Sequence, residues 1–73
     1  MNAAQLLKGE KGKILKIEIN VLRCKLLEMG CYPGNIMQMK MLAPLGDPIA
    51  FDIGGYTLAL RKEEAKLIEV ELI

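Results

Sequence analysis

The chain has 73 residues, of which 52% are hydrophobic and 26% charged, and its net charge at pH 7 is +1. This composition is globular and excludes a disordered chain, while the near-neutral charge argues against a dedicated binder of nucleic acid or of anionic membranes. The length predicts one domain over residues 1–73.

The start of the chain and its two cysteines indicate the compartment. Residues 1–5 lack the basic start and apolar run of a signal peptide, and no stretch approaches the roughly 20 apolar residues that span a bilayer. Cys24 and Cys31 are too few for a secreted disulfide framework. We therefore expect a cytoplasmic protein with free thiols and no direct membrane insertion.

The N-terminal segment predicts a capped turn followed by a strand. Asn2 can cap a turn over residues 3–7, whose two leucines dock it on the body of the protein. Residues 9–12 contain two glycines and predict a second turn. Alternation over residues 13–19 then predicts a strand whose inward side chains are Leu15, Ile17 and Ile19.

A short amphipathic helix follows. Asn20 is a suitable N-cap for a helix from Val21 to Met29, and Gly30 stands where a left-handed C-terminal cap belongs. The apolar stripe at i, i+4 and i+7 is Leu22, Leu26 and Met29. The turn at Pro33-Gly34 leads into the next strand.

The second half predicts a three-stranded meander and a final strand. The meander strands are 36–42, 49–53 and 56–60; the first two are separated by a loop containing Pro44 and Pro48 and the last two by Gly54-Gly55, a two-residue hairpin turn. Residues 61–65 predict one helical turn. The last strand, 67–72, has inward residues Ile68, Val70 and Leu72. Five short strands and one inserted helix predict a mainly β fold with a bent antiparallel sheet that closes on itself.

The residue inventory argues against catalysis. The chain has no histidine and no serine, and Thr57 is its only threonine. A serine triad is therefore excluded, a cysteine nucleophile would lack an imidazole base, and no phosphate-binding loop pattern is present. We expect no enzymatic activity and no cofactor.

The candidate metal ligands have simpler structural interpretations. Cys24 and Cys31 have a spacing that is not typical of zinc sites, and we interpret both as small buried or half-buried hydrophobic residues. Met37, Met39 and Met41 could bind a soft ion, but on a strand they share one face, which a core equally requires. We interpret Asp47 as a turn former and Asp52 as a solvent-facing strand residue, and we expect no metal site.

Taken in order, the motifs of the chain resemble those of one family across nearly its whole length. They are Leu6-Leu7, Gly9 and Gly12, Leu26 to Gly30, Pro33-Gly34, Ala43 to Pro48, Gly55-Tyr56 and Leu60 to Val70. In this order and spacing the chain resembles the ferrous iron transport protein A family. It departs from the family at Cys24 and Lys25, where the helix is usually richer in arginine, and at Cys31, where the family has an aliphatic residue.

The resemblance implies a five-stranded SH3-like barrel with one short helix inserted after the first strand. It also implies a non-catalytic cytoplasmic accessory protein of ferrous iron uptake. Such a protein binds and modulates a membrane ferrous transporter that carries its own GTP-binding domain. The resemblance leaves open whether the protein forms a homo-oligomer.

With no catalytic residues, such a protein acts by occupying a surface of its partner and so biasing the partner's conformation. We expect the helix and its adjoining loops to form the partner-binding surface, with candidate residues Arg23, Lys25, Met29, Tyr32, Pro33 and Leu45. The alternative is that the two cations are only the solvated face of the helix, and that Tyr32 and Leu45 cover the open ends of the barrel.

Parts of the sequence suggest two other functions. The chain is also similar to the SH3-like C-terminal domain of metal-dependent transcriptional repressors, but a helix-turn-helix and a dimerisation domain would precede such a domain, and this sequence starts at Met1 with neither. A nucleic-acid-binding barrel is suggested by the Gly9-x-x-Gly12 opening. The net charge of +1 and the lack of an aromatic platform argue against it.

Overall fold

Five segments of alternating apolar residues form one antiparallel sheet in the computed structural model, which describes all 73 residues. The strand order is β4-β3-β2-β1-β5, so each strand of the meander pairs with its neighbour in sequence, and β1 lies between β2 and β5. The elements are a 3₁₀ turn Ala3–Gln5, β1 Lys11–Ile17, α1 Arg23–Glu28, β2 Ile36–Leu42, β3 Ile49–Ile53, β4 Tyr56–Leu60, α2 Lys62–Ala65 and β5 Ile68–Leu72. The predicted mainly β class, with a helix after the first strand, is confirmed.

The sheet bends around one hydrophobic core without closing into a continuous ladder. The outer strands β4 and β5 do not pair with each other, so the prediction of a fully closed sheet is wrong, although the shape is barrel-like. Fifteen buried side chains form the core. Phe51 is its only aromatic residue, and most of the others are aliphatic. They are Ala3, Leu6, Ile14, Ile17, Leu26, Cys31, Met37, Met39, Ile49, Phe51, Ile53, Leu60, Ala65, Ile68 and Val70.

The first strand differs from its prediction because it contains a β-bulge. Its pairing with β5 shifts between Ile14 and Lys16, and one extra residue reverses the side-chain alternation from that point. Ile14 and Ile17 therefore both point inward, whereas Leu15 is 43% exposed. The strand ends at Ile17, so Ile19 lies beyond it in solvent. The predicted inward set was right only for Ile17.

A second bulge changes the methionine run of β2. Its pairing with β3 shifts between Met39 and Met41. Met37 and Met39 are buried as predicted, but Met41 is exposed, so the prediction that all three share the core face is wrong. Two other predicted core contacts fail at segment ends, where Leu7 and Leu72 are both exposed.

The helix α1 is shorter than predicted. It begins at Arg23, because Asn20 caps the preceding turn: its side-chain oxygen accepts a hydrogen bond from the Leu22 backbone N–H at 3.0 Å. Val21 is consequently outside the helix and exposed. Leu26 anchors the helix, since it is fully buried, and Gly30 ends it with a φ of 99°, as predicted.

The turns predicted at Asn2, Pro33-Gly34 and Gly54-Gly55 are confirmed, whereas the turn predicted over residues 9–12 is wrong in its second half, because Lys11 and Gly12 belong to β1. Gly54 and Gly55 both have positive φ, and Ile53 pairs directly with Tyr56 across them, which is a two-residue hairpin. Pro44 and Pro48 lie in the loop between β2 and β3, outside the ladder. At the N-terminus, the Asn2 side chain accepts from the Ala4 N–H and caps the 3₁₀ turn. Neither helix combines the length and apolar character needed to cross a membrane.

Candidate partner-binding surface

Five of the six predicted partner-binding residues lie on α1 and the loop that follows it. The buried side chains of Leu26 and Cys31 hold this segment against the core. Arg23 stands at the first position of the helix, is exposed and forms no ion pair. A rigid segment that presents a free cation can position a charge for a partner.

Lys25 is committed to an intramolecular contact. Its Nζ lies 3.2 Å from Oε2 of Glu64 on α2, and the Glu64 side chain is only 8% exposed. Glu64 also accepts a hydrogen bond from the backbone N–H of Arg61 at 2.9 Å. The Arg61 hydrogen bond and, after it, Lys25 lower the pKa of Glu64 against the opposing effect of burial. Lys25 therefore joins α1 to α2, and its charge is partly neutralised.

The end of α1 is tied to the β3–β4 hairpin. The Tyr56 hydroxyl donates a hydrogen bond to the backbone carbonyl of Met29, whose side chain packs half-buried against the core. The Asn35 amide donates to the carbonyl of Gly30 at 2.8 Å. These bonds fix the path of the loop between α1 and β2.

This loop presents Tyr32 and Pro33 to solvent. Tyr32 is 51% exposed, and its carbonyl accepts from the Asn35 N–H at 3.1 Å. The Gly34 N–H donates to the carbonyl of Ile14 at 2.7 Å, which attaches the turn to β1. An exposed aromatic ring on a fixed backbone is the kind of group that anchors protein interfaces.

Leu45, the sixth predicted residue, lies elsewhere. It is 97% exposed in the β2–β3 loop. That loop follows the Leu42–Ile49 pair, whereas Tyr32 precedes the Met37–Ile53 pair at the other end of the same ladder. The loop is fixed at α2, because Asp47 Oδ1 accepts from the Lys62 N–H at 2.9 Å. The structure therefore groups five of the candidates and places Leu45 at the opposite end of the ladder.

Sequence reasoning missed two apolar residues beside α1. Ile19 is 91% and Val21 95% exposed, and both precede the first turn of the helix. Alternation placed Ile19 in the core, and no local signal showed that β1 ends two residues earlier, at Ile17. With Arg23 they extend the exposed segment toward its N-terminal side.

The side chains offer no constellation for tight metal binding. No group of three or more His, Cys, Asp or Glu side chains is placed to hold a metal ion. Both cysteines are free; Cys31 is buried, but Cys24 is exposed, so its interpretation as a buried or half-buried residue is wrong. Asp47 and Asp52 bind different partners, the Lys62 N–H and the Thr57 hydroxyl.

Residues 1–72 match the family model described as the FeoA domain. The chain belongs to the FeoA domain family. A relative of this FeoA domain is the Fe(2+) transport protein A/Fe(2+) transporter FeoB fusion protein of Porphyromonas gingivalis, 39% identical over 74 residues. The alignment covers the whole of this chain but only 9% of that protein.

Solved structures agree with this membership. Iron(II) transport protein A from Clostridium thermocellum is 42% identical, with a TM-score of 0.94, over all of this chain and 46% of that one. Stenotrophomonas maltophilia FeoA in complex with zinc, described as an SH3 domain protein, is 24% identical, with a TM-score of 0.86, over 97% of this chain and 89% of that one. The latter likeness shows the fold alone, and with it the SH3-like architecture of the FeoA domain is confirmed.

Proposed function

We propose that this FeoA domain is a non-catalytic, cytoplasmic accessory of ferrous iron uptake that binds a membrane ferrous transporter carrying a GTP-binding domain. The observation that supports it best is the Porphyromonas gingivalis relative, which is named as a fusion of an Fe(2+) transport protein A with an Fe(2+) transporter. Two proteins that act on each other gain from covalent linkage, because linkage raises their effective concentration.

The accessory acts by contact. Its residues include no histidine or serine and form no candidate metal cluster, so its own surface is what it can offer a partner. Binding shifts the transporter only if the FeoA domain prefers one of its conformations over another. The nucleotide bound to the GTP-binding domain is the variable that would distinguish those conformations.

The docking surface we propose is the exposed side of α1 and its following loop, with Arg23, Lys25, Met29, Tyr32 and Pro33, and with Leu45 as a separate contact. Arg23 is the unpaired cation of this set, and Tyr32 is its large exposed ring. Arginine and tyrosine are among the residues that most often dominate binding energy.

The test measures binding of the immobilised chain to the cytosolic GTP-binding domain of its transporter, without nucleotide, with GDP and with a GTP analogue. We expect binding whose affinity depends on the nucleotide. Absence of binding in all three states would overturn the proposal.

The surface is tested with variants that keep the fold. Arg23→Glu and Tyr32→Ala should each weaken binding on the order of tenfold. Lys11→Glu is the matched control, since Lys11 is an exposed cation on β1 rather than on α1. If Lys11→Glu weakens binding as much as Arg23→Glu, the effect is one of net charge, and the proposed surface is wrong.

A further inference from the structure

The two outer strands of the sheet are protected very differently. At β5, the Val70 N–H donates to the carbonyl of Met1 at 2.8 Å and Asn2 bridges to Glu69, so the N-terminus covers this edge. At the other end of the sheet, β4 pairs only with β3. No other backbone segment bonds to the outer edge of β4.

The hydrogen-bonding pattern of the β3–β4 hairpin shows which backbone N–H and C=O groups of β4 have no partner. Residues that flank a two-residue turn exchange both backbone hydrogen bonds, so Tyr56 is bonded to Ile53, and bonded positions recur every second residue. Thr57 and Ala59 therefore direct their N–H and C=O groups away from β3. Both residues are exposed to solvent.

This edge lacks the usual safeguards against strand addition. Tyr56–Leu60 contains no charged residue and no proline. Natural edge strands commonly carry a lysine, a proline or a bulge that prevents another strand from pairing with them. The pairing of β4 with β3 is also regular over all five positions, without a bulge. The free edge of β4 is thus suited to accept an extended strand.

We propose that β4 pairs with β4 of a second copy of this chain, antiparallel about a two-fold axis at Leu58. In this register Thr57 faces Ala59 of the second copy, and Ala59 faces Thr57 of the second copy. These are the two residues whose backbone groups are free, so the pairing satisfies all eight groups with four hydrogen bonds. The result is a continuous ten-stranded sheet across the dimer.

The side chains favour a second copy as the occupant, because the strand is complementary to itself. Leu58 is half-buried and faces Leu58 of the second copy, Tyr56 faces Leu60, and no charge faces a like charge. Arg61, the first charged residue after β4, faces Gly55. A contact of five residues on each side is small, so the dimer is weak and forms at high protein concentration.

The register is tested with two double variants that differ only in the sign of one charge. Thr57→Lys with Ala59→Lys places two lysines opposite two lysines, whereas Thr57→Lys with Ala59→Glu places lysine opposite glutamate at both positions. Opposite and like cross-strand charges differ by enough to separate the two dimer dissociation constants by about tenfold or more. Both variants change the same exposed side chains, and their amide NMR spectra check that each is folded.

Sedimentation velocity up to about 1 mM protein gives the dissociation constants, and hydrogen exchange of the Thr57 and Ala59 amides identifies the strand. We expect the wild type to dimerise weakly, the lysine–glutamate variant more tightly, and the double-lysine variant to stay monomeric, with both amides protected only in dimers. A wild type that stays monomeric throughout would overturn the proposal, as would equal association of the two variants. Protection of the two amides only on addition of the transporter's cytosolic domain would also overturn it, since the edge would then belong to a different protein.

Discussion

The Tyr56 hydroxyl donates a hydrogen bond to the backbone carbonyl of Met29 and so ties the β3–β4 hairpin to the end of α1. The two residues are 27 apart in the chain. The helix termini of a protein leave carbonyls without intrahelical partners, and this one is satisfied by a side chain from the sheet. The bond therefore determines where the proposed docking loop leaves the helix.

Removing this hydroxyl should destabilise the protein measurably. We expect Tyr56→Phe to lower the free energy of unfolding by about 1 kcal/mol, the usual net value of one hydrogen bond. Tyr32→Phe is the control, because Tyr32 is 51% exposed and its hydroxyl forms no hydrogen bond within the protein, so its expected cost is close to zero. Urea denaturation of the two variants gives both values, and equal costs would show that the Tyr56 bond contributes nothing.

Gly30 and Gly34 offer a matched pair for testing how closely Tyr56 packs on the helix end. Both have positive φ, 99° and 93°, so alanine at either position costs about 1–2 kcal/mol in backbone strain. A Cβ at Gly30 would also lie 2.5 Å from the Tyr56 hydroxyl oxygen, whereas one at Gly34 would meet nothing within 4 Å. We expect Gly30→Ala to be clearly the more destabilising change.

A double-mutant cycle separates the two contributions at Gly30. In the Tyr56→Phe background the contacting oxygen is absent, so Gly30→Ala should cost less than it does in the wild type. Unfolding free energies of the four proteins provide the measurement. Additive costs would show that backbone strain alone explains the requirement for glycine.

Much of the fold can be predicted from local signals of one or two residues. Asn2 caps its turn, Gly30 ends the helix, and Gly54-Gly55 makes the hairpin, because each depends on the chemistry of one or two residues. The strand predicted over 49–53 is confirmed as β3, and burial alternates along all five of its residues.

The errors over which strand residues face the core have one common cause, which is tertiary packing. The bulges after Ile14 and Met39 depend on how distant strands fit together, and nothing in either local sequence marks them. Each bulge reverses the faces of the residues that follow, so Leu15 and Met41 moved from the predicted core to the surface. Gly12 shows how closely distant strands pack, because a Cβ at this position of β1 would lie only 2.9 Å from Cβ of Val70 on β5.

The candidate surface was predictable as a segment but not as an electrostatic site. The basic residues and the exposed tyrosine lie on α1 and its loop, as the pattern indicated. The pairing of Lys25 with Glu64 joins residues 39 apart in the chain, and no periodicity reveals it. The free cation is consequently Arg23 rather than both basic residues.

Glu64 should make stability depend on pH in the acid range. Its pKa is lowered below the ordinary value of 4.5, first by the Arg61 N–H bond and then by Lys25. The unfolded state therefore binds the proton more readily than the folded state. The ionised carboxylate stabilises the protein fully at pH values above the pKa of the unfolded state, and this stabilisation is lost as the pH falls through the lower pKa of the folded state. We expect the unfolding free energy to decline below about pH 4.5.

The variant Glu64→Gln isolates this contribution. It should be less stable than the wild type at pH 7, and its stability should fall less steeply between pH 5 and pH 3. Glu63→Gln makes the same change at an exposed neighbour without an ion pair and controls for net charge. Urea denaturation across the pH range is the measurement, and a Glu64→Gln profile parallel to that of the wild type would contradict the assignment.

The two cysteines should react at very different rates. Burial, and after it the nearby charge of Glu64, raises the pKa of the Cys31 thiol to about 11, whereas Cys24 is exposed on α1. Because the thiolate is the reactive form, iodoacetamide at pH 8 should label one cysteine of the native protein and both in denaturant. Mass spectrometry of Cys24→Ser, which should resist labelling until it unfolds, provides the control; rapid labelling of that variant while folded would disprove burial of Cys31.

Leu26 is fully buried and Leu45 is 97% exposed, so the same substitution at these two leucines separates folding from surface function. Leu26→Asp removes about 2–5 kcal/mol of packing and buries a carboxylate without a partner, so we expect the protein to unfold. Leu45→Asp makes the same change in solvent and should alter stability by at most about 0.5 kcal/mol.

Tyr32→Ala completes this comparison, since it removes a half-exposed ring from the proposed docking loop while leaving the core intact. It should keep the dispersed amide spectrum of the wild type, lose affinity for the transporter domain, and fail to restore ferrous uptake in cells that lack the chain. Leu26→Asp should fail in the same cells because it is unfolded. A Tyr32→Ala protein that is itself unfolded would place the tyrosine in the core and remove it from the docking surface.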